Sequence, residues 1–241
     1  MLDVVIVGGG PNGLMLACEL ALAGVRPVVL ERLTGPKAEP RANGLVGQIV
    51  RMLDRRGLYA RISGSSEPPR PAPRYMFGAF TLELADLEDN PVRLLPAPQE
   101  HIERVLAERA VELGVNLRMG QEVVDLHQTD DRVRITLATG ETLTTRYLVG
   151  ADGGRSMVRR LSGIDFPGVS NDDFITRSAN VSVAGEYLSP DSDLIVPGYG
   201  SLPPALYVRT DRGTIVWGCC PAVCPHFTPS KPERRTSTPR R

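Results

Sequence analysis

The N-terminal segment alternates short, wholly apolar runs with one longer run of apolar residues at helical spacing. The first apolar run covers residues 2–7, the longer one covers residues 14–23, and a third run ends at Glu31. Short continuous apolar runs are typical of strands buried on both faces, whereas the longer run is typical of a helix. The pattern therefore predicts a strand, a helix and a second, parallel strand.

The next part of the chain predicts a second group of elements on either side of a proline-rich linker. Gly57 interrupts or ends the first helical pattern, and Gly114 is the expected C-cap of the last helix. The two apolar runs between these helices are expected to be strands that pair with each other in a second sheet. In order, the predicted elements are a helix over residues 46–62, a linker over 64–73, strands over 75–84 and 92–95, and a helix over 99–113.

The C-terminal half consists mainly of short apolar runs separated by turn residues, which favours strands. A helical turn at residues 156–161 divides these runs into two groups, and the later group is expected to rejoin the second sheet. The predicted strands are residues 115–119, 122–128, 132–137 and 142–149, then residues 175–183, 194–196, 205–209 and 214–218.

Three glycines separate the first strand from the helix in the spacing Gly8-x-Gly10-x-x-Gly13. Gly8 permits a tight turn, a side chain at Gly10 would block a pyrophosphate, and Gly13 allows the helix to pack closely on the sheet. Phosphates bind at such a helix N-terminus because its backbone N–H groups are free and its dipole is positive there. Since strand, glycines and helix occur together, we interpret them as a dinucleotide-binding unit rather than an ordinary glycine-rich turn.

An acidic residue ends the second predicted strand. The carboxylate of Glu31 can accept hydrogen bonds from both hydroxyls of an adenosine ribose, and it would repel a 2′-phosphate. The expected ligand therefore contains a plain adenosine diphosphate moiety, as FAD and NAD do and NADP does not. Pro11 in the glycine turn and Arg32 after the acid are also candidate cofactor-binding residues.

Composition and charge argue against nucleic-acid and membrane partners, but they do not indicate which ligand binds. Lys and Arg total 28 and Asp and Glu total 28, so no net charge attracts nucleic acid or an anionic membrane surface. No apolar run reaches the roughly 20 residues of a membrane span, and the first strand begins too early to leave room for a signal peptide. We therefore expect a cytoplasmic protein with no nucleic-acid or membrane partner, in which Cys18 is a packed apolar residue.

A second motif follows the apolar run at residues 142–149. It reads Asp-Gly-Gly-Arg-Ser from Asp152 to Ser156 and continues to Arg159. Together with the glycine motif, this sequence resembles the FAD-dependent aromatic hydroxylases of the para-hydroxybenzoate hydroxylase type, whose second signature is Asp-Gly-x-x-Ser-x-x-Arg. The strongest resemblance is to actinobacterial members that oxygenate aromatic polyketides and rifamycin-like antibiotics.

The resemblance implies roles for several residues. Asp152 is expected to face the ribose or pyrophosphate region of FAD, and Ser156 to cap the next helix. Arg159 would either brace the loop or meet a phosphate of the nicotinamide nucleotide. Gln99 corresponds to a glutamine that contacts the FAD phosphate and ribose region, or else it substitutes for a helix N-cap. Arg41 corresponds to an arginine that lies along the FAD, or else it is a solvated loop charge.

The family's third FAD signature, a Gly-Asp-Ala-Ala/Ser-His segment, does not occur in this sequence. Residues 219–241 are instead rich in proline and basic residues, so we expect a disordered, non-native tail and a truncated family member. The alternative is a metal site, but adjacent cysteines followed by a three-residue gap do not match zinc-site spacing, and no metal is predicted. The residues of that alternative are Cys219, Cys220, Cys224 and His226.

The expected fold class is α/β, with a glutathione-reductase-like FAD-binding Rossmann domain and an interleaved, incomplete mixed β-sheet substrate domain. The FAD-binding domain would comprise residues 1–73 and 96–168. The partial substrate domain would comprise residues 74–95 and 169–218.

The resemblance implies a flavin monooxygenase that uses FAD. In such enzymes NADPH or NADH reduces the flavin, and O2 then supplies the oxygen that hydroxylates a small aromatic substrate. Since the cofactor carries the chemistry, no catalytic side chain is assigned. Two alternatives stay open: another FAD-dependent oxidoreductase on the same fold, and a non-catalytic fragment, which the missing third signature favours. Neither the substrate nor the oligomeric state follows from the sequence.

Overall fold

The computed structural model describes residues 1–35, 44–77, 80–169, 175, 177, 179, 181–190, 193–204, 208–210 and 213–218. Within these ranges the strands are β1 (Leu2–Val7), β2 (Pro27–Glu31), β3 (Gly44–Val46), β4 (Arg74–Phe77), β5 (Phe80–Glu83), β6 (Leu94–Pro96), β7 (Asn116–Met119), β8 (Val123–Gln128), β9 (Val133–Leu137), β10 (Thr142–Gly150), β11 (Leu194–Val196), β12 (Gly200–Leu202), β13 (Val208–Thr210) and β14 (Gly213–Ile215). The helices are α1 (Pro11–Leu22), α2 (Gln48–Arg55), α3 (Tyr59–Ser63), α4 (Gln99–Glu112) and α5 (Met157–Leu161), with a 3₁₀ turn at Gly185–Tyr187.

Six of the described strands form one mixed sheet in the order β7-β2-β1-β10-β9-β8. Strands β7, β2, β1 and β10 are parallel to one another, while β9 and β8 pair antiparallel. Val5 of β1 lies between Val28 of β2 and Leu148 of β10. The carboxyl ends of these three strands therefore meet at one edge, where ligands bind in open α/β sheets. The predicted α/β class is confirmed.

In the two central strands, residues 4–7 of β1 and residues 27–30 of β2 are buried on both faces, which explains their uninterrupted apolar sequences. One face contacts the helices, with Val4, Ile6 and Val29 packed near Ala17 of α1 and Ala110 of α4. The opposite face is covered by the antiparallel strands, with Val5, Val7, Val28 and Leu30 packed near Val123, Ile135 and Leu137. The sheet is thus covered by helices on one side and by its own antiparallel extension on the other.

The helices occur where they were predicted, except that one predicted helix is split into two. The helix expected over residues 46–62 is two helices, α2 and α3, because Gly57 between them has a φ of +68°. The amphipathic helix α4 is present as predicted, and Gly114 follows it with a φ of +80°. None of the helices in the described ranges has the length and apolar character needed to cross a bilayer.

The predicted pairing of residues 75–84 with residues 92–95 is wrong. The first segment folds back on itself as the antiparallel pair β4 and β5, with Phe77 opposite Phe80. The second segment contains β6, which pairs with β3 and buries Leu95 in the core beside α1 and α4. Gly78, in the middle of the first apolar run, was the sequence signal for a turn.

Packing divides the chain into two compact units, Met1–Pro73 with Leu84–Val181 and Arg74–Glu83 with Ser182–Arg241. The first unit contains the six-stranded sheet and the β3–β6 pair; in the second unit, the described strands form the pairs β4–β5, β11–β12 and β13–β14. This division differs from the predicted domains over residues 84–95, because β3 and the core hold β6 in the first unit, and over residues 169–181, which also fall in the first unit. The described residues of the predicted strand at 175–183 contain no strand.

Candidate functional site

The turn after β1 lies directly against the turn after β10. Gly8 donates its N–H to the carbonyl of Leu30 at 2.8 Å, and Ala151 donates its N–H to the carbonyl of Val7 at 2.7 Å. Gly8 has a φ of +112°, and a Cβ placed there would lie 2.4 Å from the carbonyl oxygen of Ala151. Glycine is therefore required at this position both for the turn and for the contact between the two motifs.

The other two glycines of the motif have different surroundings. A Cβ at Gly13 would lie 2.0 Å from the carbonyl oxygen of Gly8, so helix α1 begins in contact with the turn itself. For a Cβ at Gly10, the nearest described atom is Oε1 of Glu103, at 4.0 Å. Gly8 and Gly13 are thus needed by the protein's own backbone, whereas the described residues leave space beside Gly10.

The N-terminus of helix α1 is open to an anion. Gly10 is the N-cap, Pro11 occupies the first turn, and no side chain from the described residues caps the N–H groups. The first turn of α1, all of whose residues are described, contains no acidic residue. Free N–H groups and the positive end of the helix dipole together bind phosphate groups. This set of donors fits the diphosphate of FAD.

Glu31 connects the glycine turn to the segment that follows β2. Its Oε2 accepts the N–H of Gly9 at 2.7 Å, and its Oε1 accepts the N–H of Leu33 at 2.9 Å. A carboxylate has about four acceptor positions, so the side chain keeps acceptor capacity for ribose hydroxyls. Its hydrogen bond to Gly9, the residue before the N-cap Gly10, places that capacity beside the open N-terminus of α1. The neighbouring Arg32 is exposed.

The carboxylate of Asp152 is bonded to the start of helix α5. Its Oδ2 accepts the N–H groups of Met157 at 2.6 Å and Val158 at 3.2 Å, and its Oδ1 accepts the hydroxyl of Ser156. Ser156 accepts the N–H of Arg159 at 2.9 Å, so the cap predicted at this serine is confirmed. The expected contact of Asp152 with the cofactor stays a prediction.

Arg159 braces the loop that precedes its helix. Its Nη1 donates to the carbonyl of Gly154 at 2.9 Å. Its guanidinium carbon also lies 4.5 Å from the ring centroid of Phe166, within the range of a cation–π contact. Of the two roles considered for this residue, bracing corresponds to these contacts, and contact with a nicotinamide nucleotide stays a prediction.

Gln99 begins helix α4 and is hydrogen-bonded to Glu103, a residue that no sequence motif indicated. Its Nε2 donates to Oε1 of Glu103 at 2.7 Å, and the same oxygen faces Gly10. The i,i+4 spacing on a predicted helix indicated that these two side chains are neighbours. The position of Glu103 beside Gly10 depends on the packing of α1 against α4 through a shared core that includes Leu14 and Ile102.

The remaining residues singled out from the sequence are Arg41, those of the alternative metal site and Cys18. Arg41 and the tail at 219–241, including the four residues of the alternative metal site, lie outside the described residues. In the part of the chain that is described, no group of three or more His, Cys, Asp or Glu could hold a metal ion. Cys18 is 2% exposed, and burial raises the pKa of its thiol, as expected of a packed apolar residue.

Comparison with known families identifies the relatives of this chain. The family described as an FAD binding domain matches residues 1–224. The chain belongs to this family. Membership supports FAD as the cofactor, and it agrees with the open helix N-terminus beside the glycine turn.

Several characterised proteins are similar to this chain. A rifampicin monooxygenase of Streptomyces venezuelae is 44% identical over 173 residues, which cover 70% of this chain and 35% of the relative. A dialkyldecalin synthase of Streptomyces rugosporus is 40% identical over 169 residues, which cover 70% and 36%. The crystal structure of CabE, an aromatic hydroxylase from angucycline biosynthesis, is 31% identical with a TM-score of 0.65, covering 99% of this chain and 46% of that one.

These relatives confirm the predicted resemblance to FAD-dependent aromatic hydroxylases. The chain spans about a third of the length of the two curated relatives.

Proposed function

We propose that this chain forms the FAD-binding part of a flavin-dependent monooxygenase that hydroxylates an aromatic or polyketide-like small molecule. The observation that carries the proposal is the match of residues 1–224 to the FAD binding domain family. The names of the relatives favour hydroxylation among the reactions that FAD supports, since they include a rifampicin monooxygenase and an aromatic hydroxylase.

In this proposal the carboxyl ends of the parallel strands β1, β2 and β10 contribute to FAD binding. The diphosphate would bind at the N-terminus of α1, in the space beside Gly10, and Glu31 would accept the hydroxyls of the adenosine ribose. Asp152 would face the ribose or pyrophosphate region, and Gln99 would contact the same region from α4. We assign the first unit to the glutathione-reductase-like Rossmann class, because β2, β1 and β10 bring these positions to one edge.

Bound FAD would supply the redox chemistry, taking two electrons from NADPH or NADH and passing them to O2. One oxygen atom would enter the substrate and the other would leave as water. The residues of this chain would bind and orient the cofactor, and the second unit would contribute part of the substrate domain. No side chain is assigned a proton-transfer role.

A chimera tests the proposal. The matching segment of this chain would replace the corresponding 173 residues of the Streptomyces venezuelae rifampicin monooxygenase. We expect the purified chimera to be yellow and to oxidise NADPH or NADH faster when rifampicin is added. A matched chimera with Gly10→Ala should fold equally well, by far-UV circular dichroism, and carry less flavin. A folded chimera without flavin would contradict the proposal.

A second candidate function is a cyclisation without net oxidation. It is favoured by the dialkyldecalin synthase, which is 40% identical to this chain and whose name describes ring formation. The two candidates differ in their consumption of co-substrates. A monooxygenase consumes one NAD(P)H and one O2 for each product, whereas a cyclisation consumes neither, so an oxygen electrode with a nicotinamide absorbance assay separates them.

A further inference from the structure

Glu103 lies between the amide of Gln99 and the glycine turn. Both side chains are half-buried, and they share one face of α4 at i,i+4 spacing. Oε1 of Glu103 accepts the Nε2 hydrogen of Gln99 at 2.7 Å and also faces Gly10. One carboxylate oxygen therefore links the start of α4 to the open N-terminus of α1.

This hydrogen bond fixes the orientation of the Gln99 amide, because one of the two N–H groups of its NH2 is donated to Glu103. An ionised carboxylate has no hydrogen to donate, so the NH2 group of the glutamine is the end that faces Glu103. The carbonyl oxygen on the other side of the amide is then left as an acceptor. Phosphate oxygens are also acceptors, so this end of Gln99 pairs with a hydroxyl group and not with a phosphate.

We propose that Glu103 is a positioning residue that holds Gln99 as a hydrogen-bond acceptor for a hydroxyl group of FAD. This inference rests on the proposed function, because it takes FAD as the ligand. The hydroxyl belongs either to the adenosine ribose or to the ribityl chain, the two parts of FAD on either side of the diphosphate. Glu103 acts through Gln99 and makes no contact with the cofactor itself.

The charge of Glu103 has a separate effect that the experiment must remove. A carboxylate near the N-terminus of α1 interacts favourably with the helix dipole, but it repels a bound diphosphate. Substitution of Glu103 by any neutral residue therefore changes FAD affinity through charge as well as through Gln99. Two neutral substitutions share the charge effect, so the difference between them isolates the hydrogen bond.

The test compares Glu103→Gln with Glu103→Ala in the full 241-residue chain. The glutamine keeps an oxygen that accepts from Gln99, and the alanine does not. We expect the alanine variant to bind FAD about fivefold more weakly than the glutamine variant, the effect of one hydrogen bond, in a titration of flavin fluorescence. The same comparison in a Gln99→Ala background should show no difference, because the residue through which Glu103 acts is gone.

The cofactor fragment ADP identifies the hydroxyl. If the fivefold difference is also found with ADP, the partner of Gln99 is the adenosine ribose. If it is found with FAD alone, the partner is the ribityl chain.

Equal affinities of the two Glu103 variants would overturn the inference, and so would a difference that persists without Gln99, since that is a general structural effect. Either result with tight FAD binding leaves the proposed function intact. A wild-type chain that binds neither FAD nor ADP would overturn both the inference and the proposed FAD site.

Discussion

Two glycine-containing turns follow neighbouring parallel strands of one sheet, and each leads into a helix, yet the helix N-termini differ. The turn after β1 leads into α1, which receives no side-chain cap from the described residues. The turn after β10 leads into α5, where Asp152 and Ser156 accept three backbone N–H groups. Backbone N–H groups that no side chain caps are available to an anion, so the comparison favours the first turn as the anion site.

The second turn supports the first through direct contact. The carbonyl of Ala151 occupies the space into which a side chain at Gly8 would extend. The cap on α5 therefore fixes the backbone against which the glycine turn rests. This explains how two motifs far apart in the sequence act at one edge of the sheet, and it predicts different consequences for substitutions in the two turns.

The largest expected effect comes from Gly13→Ala. Its Cβ would lie 2.0 Å from the carbonyl oxygen of Gly8, so α1 and the turn must separate. We expect a loss of about 3 kcal/mol in the free energy of unfolding, measured by urea denaturation of the ligand-free chain.

Gly10→Ala is the matched control for that substitution. Its Cβ has 4.0 Å of space before the nearest described atom, so the unfolding free energy should fall by no more than about 1 kcal/mol, the preference of an N-cap for glycine over alanine. FAD affinity should nevertheless fall, because the methyl group occupies the space proposed for the diphosphate. Equal loss of stability in both variants would contradict the distinction between the two glycines.

Glu31→Gln tests the acid at the first turn. We expect FAD affinity to fall by about 1.5 to 3 kcal/mol, the range for a hydrogen bond to a charged group. Stability of the ligand-free chain should also decrease, because the new amide cannot accept from both Gly9 and Leu33. Isothermal calorimetry and urea denaturation measure the two effects, and unchanged flavin content in the variant would refute the assignment of Glu31 to the ribose.

Asp152→Ala tests the second turn. It removes the acceptor of the Met157 and Val158 N–H groups, so we expect a loss of about 2 kcal/mol in the unfolding free energy. Ser156→Ala, which frees one N–H group, should lose about 1 kcal/mol. If Asp152→Ala left stability unchanged and abolished FAD binding, the carboxylate would be a cofactor ligand and not a structural cap.

The smallest expected effect concerns Arg159. Arg159→Met removes the hydrogen bond to Gly154 and the contact with the ring of Phe166, which is 72% exposed. Exposed contacts of this kind contribute about 0.5 to 1 kcal/mol, and we expect a thermal midpoint lowered by a few degrees. A double-mutant cycle with Phe166→Leu measures how much of this stabilisation comes from the contact between Arg159 and the Phe166 ring. A loss of NADPH affinity without a change in stability would favour the nucleotide role.

Local patterns predicted the elements that carry the motifs. The strand, glycines and helix at the N-terminus, the amphipathic helix α4 and the four strands from β7 to β10 each follow from the spacing of apolar residues and glycines. The cap at Ser156 also follows from a local rule, since a serine before a helix accepts N–H groups within its own first turn. The predicted pairing partner of residues 92–95 was wrong, because these residues form β6, which pairs with β3 from a distant part of the sequence.

The sequence by itself determined the α/β class, the glycine turn and the acid that ends β2, because each depends on residues that are close neighbours along the chain. Only the tertiary structure decided that Ala151 rests against Gly8 and that Glu103 faces Gly10. These contacts depend on the order of strands in the sheet and on the packing of α1 against α4. Apolar spacing shows that a surface is buried, but it carries no information about which distant surface covers it.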